Sequence, residues 1–212
     1  GDVGINGRKE KDSLNTVGTT HGSIECINGQ WYVFYHRLTH GSDYSRQACA
    51  EPIKIETDGS IKQAEVSSCG LNGKSLIAKG KYPSVIACNI TNGRMPRVSN
   101  RKYNKPIPMV THKNGERYIA NIDGKTVITY KWFDFEKRNG VLELDVDSNA
   151  DGEIRALANG KAIAKKSVTP FGRKTIALEY QVDAKEKQAL SIRFFGKGKL
   201  DLYSLNFKEK EQ

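Results

Sequence analysis

The 212-residue sequence has no apolar run approaching the roughly 20 residues of a membrane-spanning helix, which argues against a helical membrane protein. It has no CxxC pair, so the usual spacing of a zinc site is missing. No RNA-binding, zinc-finger or basic-helix motif accompanies its charge, and no stretch shows the 3.6-residue apolar period of an amphipathic helix. No signal peptide stands at the N-terminus, and Gly1 reads as a cleavage scar left after a targeting segment was removed.

The apolar fraction of 37% is enough for a real core and too high for a disordered chain. The formal net charge is +10. Such a balance raises nucleic acid or an anionic surface as partners, but the lysines are spread over turns and strand faces, as a solvated basic surface would be. All four cysteines (Cys26, Cys49, Cys69 and Cys88) fall in the first half, each in an apolar stretch. Buried thiols are expected, with one or two disulfides as the alternative if the protein is exported.

The chain reads as short strands punctuated by turns. Residues 1–20 are polar and Gly-rich, hence loop. SIECI, Asn28-Gly29 and QWYVFYH make a hairpin, because Asn-Gly supplies the positive φ of a tight turn. RQACAEPIKIE, the Asp58-Gly59 turn and SIKQAEV complete a four-stranded meander over residues 1–66. Residues 67–104, rich in Gly, Asn, Pro and Arg, read as a connector that wraps the surface. Within it NIT at Asn89 matches a glycosylation acceptor.

From residue 105 to 212 strands resume, from IPMVTHK through GVLELDVD and TIALEYQV to KLDLYSLNFK. Asn114-Gly115, Asp123-Gly124, Asp151-Gly152 and Asn159-Gly160 are read as turns between them. The period-two alternation predicts one buried and one wet face per sheet. The expected fold is all-β: a partial β-propeller of about one four-stranded blade joined to a jelly-roll β-sandwich.

Several motifs occur together in the first part: HGSIECINGQWYVFYHR, then Arg46-Gln47 and Glu51-Pro52. In combination they resemble the closing part of the propeller of glycoside hydrolase family 43, over roughly residues 1 to 90. The later segment, with YKWFDF, LDVDSNADGEIRALANGKAIA and LDLYSLNF, is similar to a divergent family 6 carbohydrate-binding module over roughly residues 105 to 209. The resemblance implies a protein that cleaves arabinofuranosyl or xylosyl linkages of plant cell-wall polysaccharide with inversion, secreted or periplasmic. Such chemistry needs an acid and a base on opposite sides of the sugar ring with room for water. The family's three catalytic acids come from earlier blades, so no catalytic residue is assigned in this chain. Asp2, Asp12, Glu25, Asp43 and Glu51 stand outside the catalytic motifs, and the missing blades would come from further chain or a partner chain.

The resemblance also implies roles for single residues. His21 matches a histidine near the propeller axis that helps hold calcium, often through water, and that borders the sugar. Arg46 matches an arginine that reaches the sugar pocket. In the sandwich, Trp132 and Tyr203 are candidates for a sugar platform, with Tyr130 and Tyr180 behind them, and Asp201 is the type of residue that holds a structural calcium. Ser23, His21 and Asp43 make no triad, since no nucleophile-elbow context surrounds Ser23. Two alternatives stay open: a non-catalytic carbohydrate-binding or accessory protein, and a nucleic-acid or anionic-surface binder that works through its charge.

Overall fold

In the computed structural model, residues 21–93, 95 and 106–210 are described. The loop expected over residues 1–20, with Asp2 and Asp12, lies outside them, as does the side chain of Asp43.

Three strands, β1 (Ser23–Ile27), β2 (Gln30–Thr39) and β3 (Ser42–Ile53), form one antiparallel sheet in chain order. Asn28 and Gly29, both at positive φ, turn β1 into β2 as the Asn-Gly signal predicts. The fourth strand of the expected meander does not form. Residues 54–66 contribute a single bridge between Ile55 and Ile61, and both side chains are exposed. With no apolar face to cover there, the run has nothing to hold it as a strand.

The rest is a sandwich of two sheets. One has the order β13 (Gly172–Gln181), β10 (Asn139–Ser148), β15 (Leu200–Lys208), β8 (Glu116–Ile122), β7 (Met109–Lys113). The other has the order β12 (Lys161–Val168), β11 (Asp151–Ala158), β14 (Gln188–Lys197), β9 (Val127–Asp134), β4 (Leu76–Ile77). The inner faces meet in one apolar cluster that includes Ile119, Ile128, Phe133, Leu142, Leu144, Ile154, Leu190, Phe194 and Leu205. Strict alternation along β10 and β14 puts every second residue in that core.

Residues 67–104, expected as a connector, instead add strands to the sandwich. β5 (Gly80–Pro83) pairs with β15, while β4 and β6 (Asn89–Thr91) pair with β9. These runs are only two to four residues long, too short for a readable period. Asn89 of the NIT match is buried within β6. Asp151-Gly152 is not a turn but the start of β11, and Gly152 faces Gly196 across the pair. A Cβ on Gly152 would sit 2.2 Å from the Phe195 carbonyl oxygen, so glycine serves close strand approach there. The turn lies before it, where Asn149 Oδ1 accepts the Lys199 N–H at 2.8 Å.

No pair of the four cysteines is bonded. Cys69 and Cys88 are buried as expected, and burial pushes the Cys88 thiol up to about 11. Cys26 is exposed instead, because every residue of β1 is exposed.

Polar contacts dock the small sheet on the sandwich. The half-buried Arg37 guanidinium donates to the carbonyls of Val85 and Ala87 and to Gln47 Oε1. Glu51 is 2% exposed and accepts from Ser67 N–H at 2.7 Å, Ser67 Oγ at 2.6 Å and Tyr35 Oη at 3.0 Å. Burial nevertheless leaves its carboxyl above the usual range. Glu51 has the structural role that its place before a proline suggests.

Candidate functional site

The small sheet presents an open groove of about 550 Å³ lined by His21, Gly22, Ser23, Ile24 and Val33 to His36. The register explains it. Ser23 pairs with Phe34, and the His21 ring meets His36 with centroids 4.6 Å apart. Gly22 permits the approach, since a Cβ there would lie 1.9 Å from the Phe34 carbonyl oxygen. Arg46 is exposed on β3 opposite Leu38, two residues along β2 from His36. Cross-strand partners point to one side, so Arg46 shares the His36 face without lining the groove.

Tyr203 lies on the outer face of the sheet β13-β10-β15-β8-β7. Its ring stacks on Tyr118 with centroids 4.6 Å apart and planes 19° from parallel. The Arg173 guanidinium covers it at 3.7 Å. Arg173 is fixed by two carboxylates, with Nη1 2.6 Å from Glu116 Oε2 and Nη2 2.7 Å from Asp145 Oδ2. These bonds hold Arg173 well above its usual range. Tyr203 is therefore enclosed, only 7% exposed, while the half-buried Tyr118 is the outer member of the stack. Tyr118, Arg173, Glu116 and Asp145 escaped the sequence reading, for no local pattern joins four residues on three strands.

Trp132 is half-buried on β9, apart from this stack. Its indole N–H donates to Glu65 Oε2 at 2.9 Å, and Lys187 lies 5.2 Å from the ring centre. Tyr130 and Tyr180 are both buried in the core.

Asp201 Oδ1 accepts the Asn121 N–H at 3.0 Å. Burial, then neighbouring Asp147, keep its carboxyl above the ordinary range. Asp147 is its cross-strand partner. Calcium takes six to eight oxygens. Two carboxylates, one oxygen of which already accepts a backbone donor, do not make that set. The groove at His21 offers two imidazoles among mostly apolar neighbours, also a poor calcium cage. Among the described residues, no three His, Cys, Asp or Glu side chains gather in metal-binding range.

No protein-family model matches the chain. It is 39% identical over 158 residues to a protein of Thermoclostridium stercorarium named xylosidase/arabinosidase, covering 70% of this chain and 33% of that relative. The chain thus spans about a third of that protein's length. A glycoside hydrolase family 43 arabinoxylan arabinofuranohydrolase from Bacillus subtilis, solved with cellotetraose, superposes with a TM-score of 0.55 at 18% identity, over 91% of this chain and 41% of that one. A family 6 carbohydrate-binding module of Clostridium stercorarium, solved with cellobiose, superposes with a TM-score of 0.50 at 12% identity, over 65% of this chain and 99% of that one. At these identities the structures establish the fold alone. The chain is therefore similar in sequence to part of a protein named xylosidase/arabinosidase, and in fold to part of a glycoside hydrolase family 43 protein, its sandwich being like that of family 6 carbohydrate-binding modules.

Proposed function

We propose that the chain is the C-terminal portion of a secreted or periplasmic glycoside hydrolase that acts on plant cell-wall polysaccharide, of the arabinofuranosidase or xylosidase type. The observation that carries this reading is the 39% identity over 158 residues to a protein of that name. In this reading the open face with His21 and Arg46 completes a sugar pocket whose acid and base belong to earlier blades. Inverting hydrolysis needs two carboxylates that straddle the sugar with water between them. The carboxylates of the small sheet do not suit that work: Glu51 is consumed by Ser67 and Tyr35, and Glu25 stands exposed on β1. Arg46 offers a guanidinium fork to sugar hydroxyls.

The test compares this chain with a longer one that carries the upstream blades. This chain alone should release no arabinose or xylose from arabinoxylan. In the longer chain, Arg46→Ala and His21→Ala should each lower release by about tenfold, roughly 1.4 kcal/mol of transition-state binding. Sugar release by this chain alone would overturn the division of labour.

The Tyr118–Tyr203 stack supports a second role, glycan anchoring by the sandwich. Tyr118 presents an aromatic surface beside the carboxylates of Asp147 and Asp201, a pairing of ring and acceptors suited to neutral sugars. Trp132 is the second aromatic in this role. Tyr118→Ala should abolish retardation of this chain in gels containing neutral xylan, and unchanged retardation would remove Tyr118 from the binding surface.

A further inference from the structure

The outer faces of the two sandwich sheets differ in charge, with Arg173 and Lys208 offsetting Asp145 and Glu143 on the first. On the sheet β13-β10-β15-β8-β7 the alternating pattern leaves Glu143, Asp145, Asp147 and Asp201 outward. On the other sheet a row of cations crosses three strands. Arg155 of β11 pairs with Lys165 of β12 on one side and with Arg193 of β14 on the other. Their sequence neighbours Ile154, Ala156, Ala164, Ile192 and Phe194 are buried in the core, so the three cations share the outer face. Strands lie about 4.8 Å apart, so the row spans about 10 Å.

Among the described residues, Glu153 is the carboxylate that pairs into this row, with its oxygen 2.5 Å from Arg155 Nε. Phe195, the next outward residue of β14, holds both guanidinia, with Arg155 4.4 Å and Arg193 5.0 Å from its ring centre. Arg193 Nε is buried without a hydrogen-bond partner. The ring contacts restrain both side chains before any ligand arrives, which lowers the entropy cost of binding.

We propose that this face binds a carboxylate-bearing polysaccharide, a cell-wall glycan with uronic acid groups. Arg155 and Arg193 would take carboxylates on their planar forks, and Lys165 would add a point charge at the sheet edge. The inference rests on the glycan reading above and adds a second, charge-selective surface to it. A nucleic acid fits less well, because the aromatic ring of the row is engaged by guanidinia rather than open for base stacking.

The test is affinity electrophoresis of this chain in gels containing polygalacturonate, glucuronoxylan, neutral arabinoxylan or no polymer, with duplex DNA assayed separately. Binding to the two uronic acid polymers is expected, weakening as sodium chloride is raised. The double variant Lys165→Gln/Arg193→Gln should weaken it by about tenfold, with neutral arabinoxylan unaffected. Arg193→Lys keeps the charge but loses the fork and should fall between, provided circular dichroism shows both variants folded. No preference for acidic over neutral polymer, undiminished binding by the folded double variant, or tighter binding to DNA would each overturn the proposal. Loss of this binding leaves sugar release by the longer chain unaffected. Failure here and failure of the hydrolase reading are thereby separable.

Discussion

His40 Nε2 lies 2.6 Å from His112 Nδ1, which joins the β2–β3 turn of the small sheet to β7 of the sandwich. The His40 backbone N–H also donates to the Val110 carbonyl at 2.9 Å. His40 Nδ1 is within 2.8 Å of the hydroxyls of Thr39 and Ser45. One shared proton suits the ring-to-ring bond, and a second proton would make two cations face each other. Burial, then His112, then Arg117, lower the His40 pKa. A histidine whose folded pKa is depressed contributes stability that is full above its unfolded value of about 6.5 and lost as pH falls through the folded value. Amide exchange of β7 should therefore quicken as pH drops below about 6.5, after correction for intrinsic exchange. His112→Gln should flatten that dependence, and an unchanged profile in the variant would reject the contact as the sensor.

Arg37 should be the strongest single link between the small sheet and the sandwich. Its guanidinium serves the Val85 and Ala87 carbonyls and Gln47 together. Arg37→Ala leaves the Ala87 carbonyl and Gln47 Oε1 without this donor, while the Val85 carbonyl keeps Gln47 Nε2, and should cost about 1–3 kcal/mol. Arg37→Lys should rescue little, because one ammonium cannot match a planar fork. Urea unfolding and limited proteolysis of the β1–β3 region would read the effect.

At Glu51, Ala and Gln should differ. Glu51→Ala strands the Ser67 N–H and hydroxyl and should cost about 1–3 kcal/mol. Glu51→Gln keeps a carbonyl acceptor and removes a buried charge, so it should cost less at neutral pH. The raised folded pKa means that the native carboxyl favours the fold below about 4.3 and loses that advantage as pH rises through the folded value. Unfolding midpoints of the three proteins near neutral pH should rank wild type and Gln above Ala.

Gly152→Val should damage the sandwich more than its place near the start of β11 suggests. A Cβ there meets the Phe195 carbonyl oxygen at 2.2 Å and Gly196 Cα at 2.7 Å, both backbone atoms that cannot swing aside. The strand pair would have to separate locally, a loss of about 3 kcal/mol or more. Gly160→Ala, at a turn with open space but positive φ, should cost about 1 kcal/mol. Thermal melts that rank the two the other way would contradict the close approach.

Much was legible in the sequence. Asn28-Gly29 set the hairpin, and period-two runs such as LELDV set which side chains enter the core, because turn chemistry and alternation are local properties. Glu51 before its proline and Trp132 in YKWFDF could be placed on strands, and the combined motifs around His21 and Arg46 pointed to a family. The tertiary structure decided the rest. Only pairing with β9 and β15 turned residues 76–91 into sheet edges, and only the absence of an apolar face undid the fourth strand of the small sheet. The His40–His112 contact spans 72 residues, and the Tyr118–Tyr203–Arg173 stack joins three strands. Side chains from distant strands meet according to register and strand order, which depend on the packing of whole sheets rather than on any neighbouring residue.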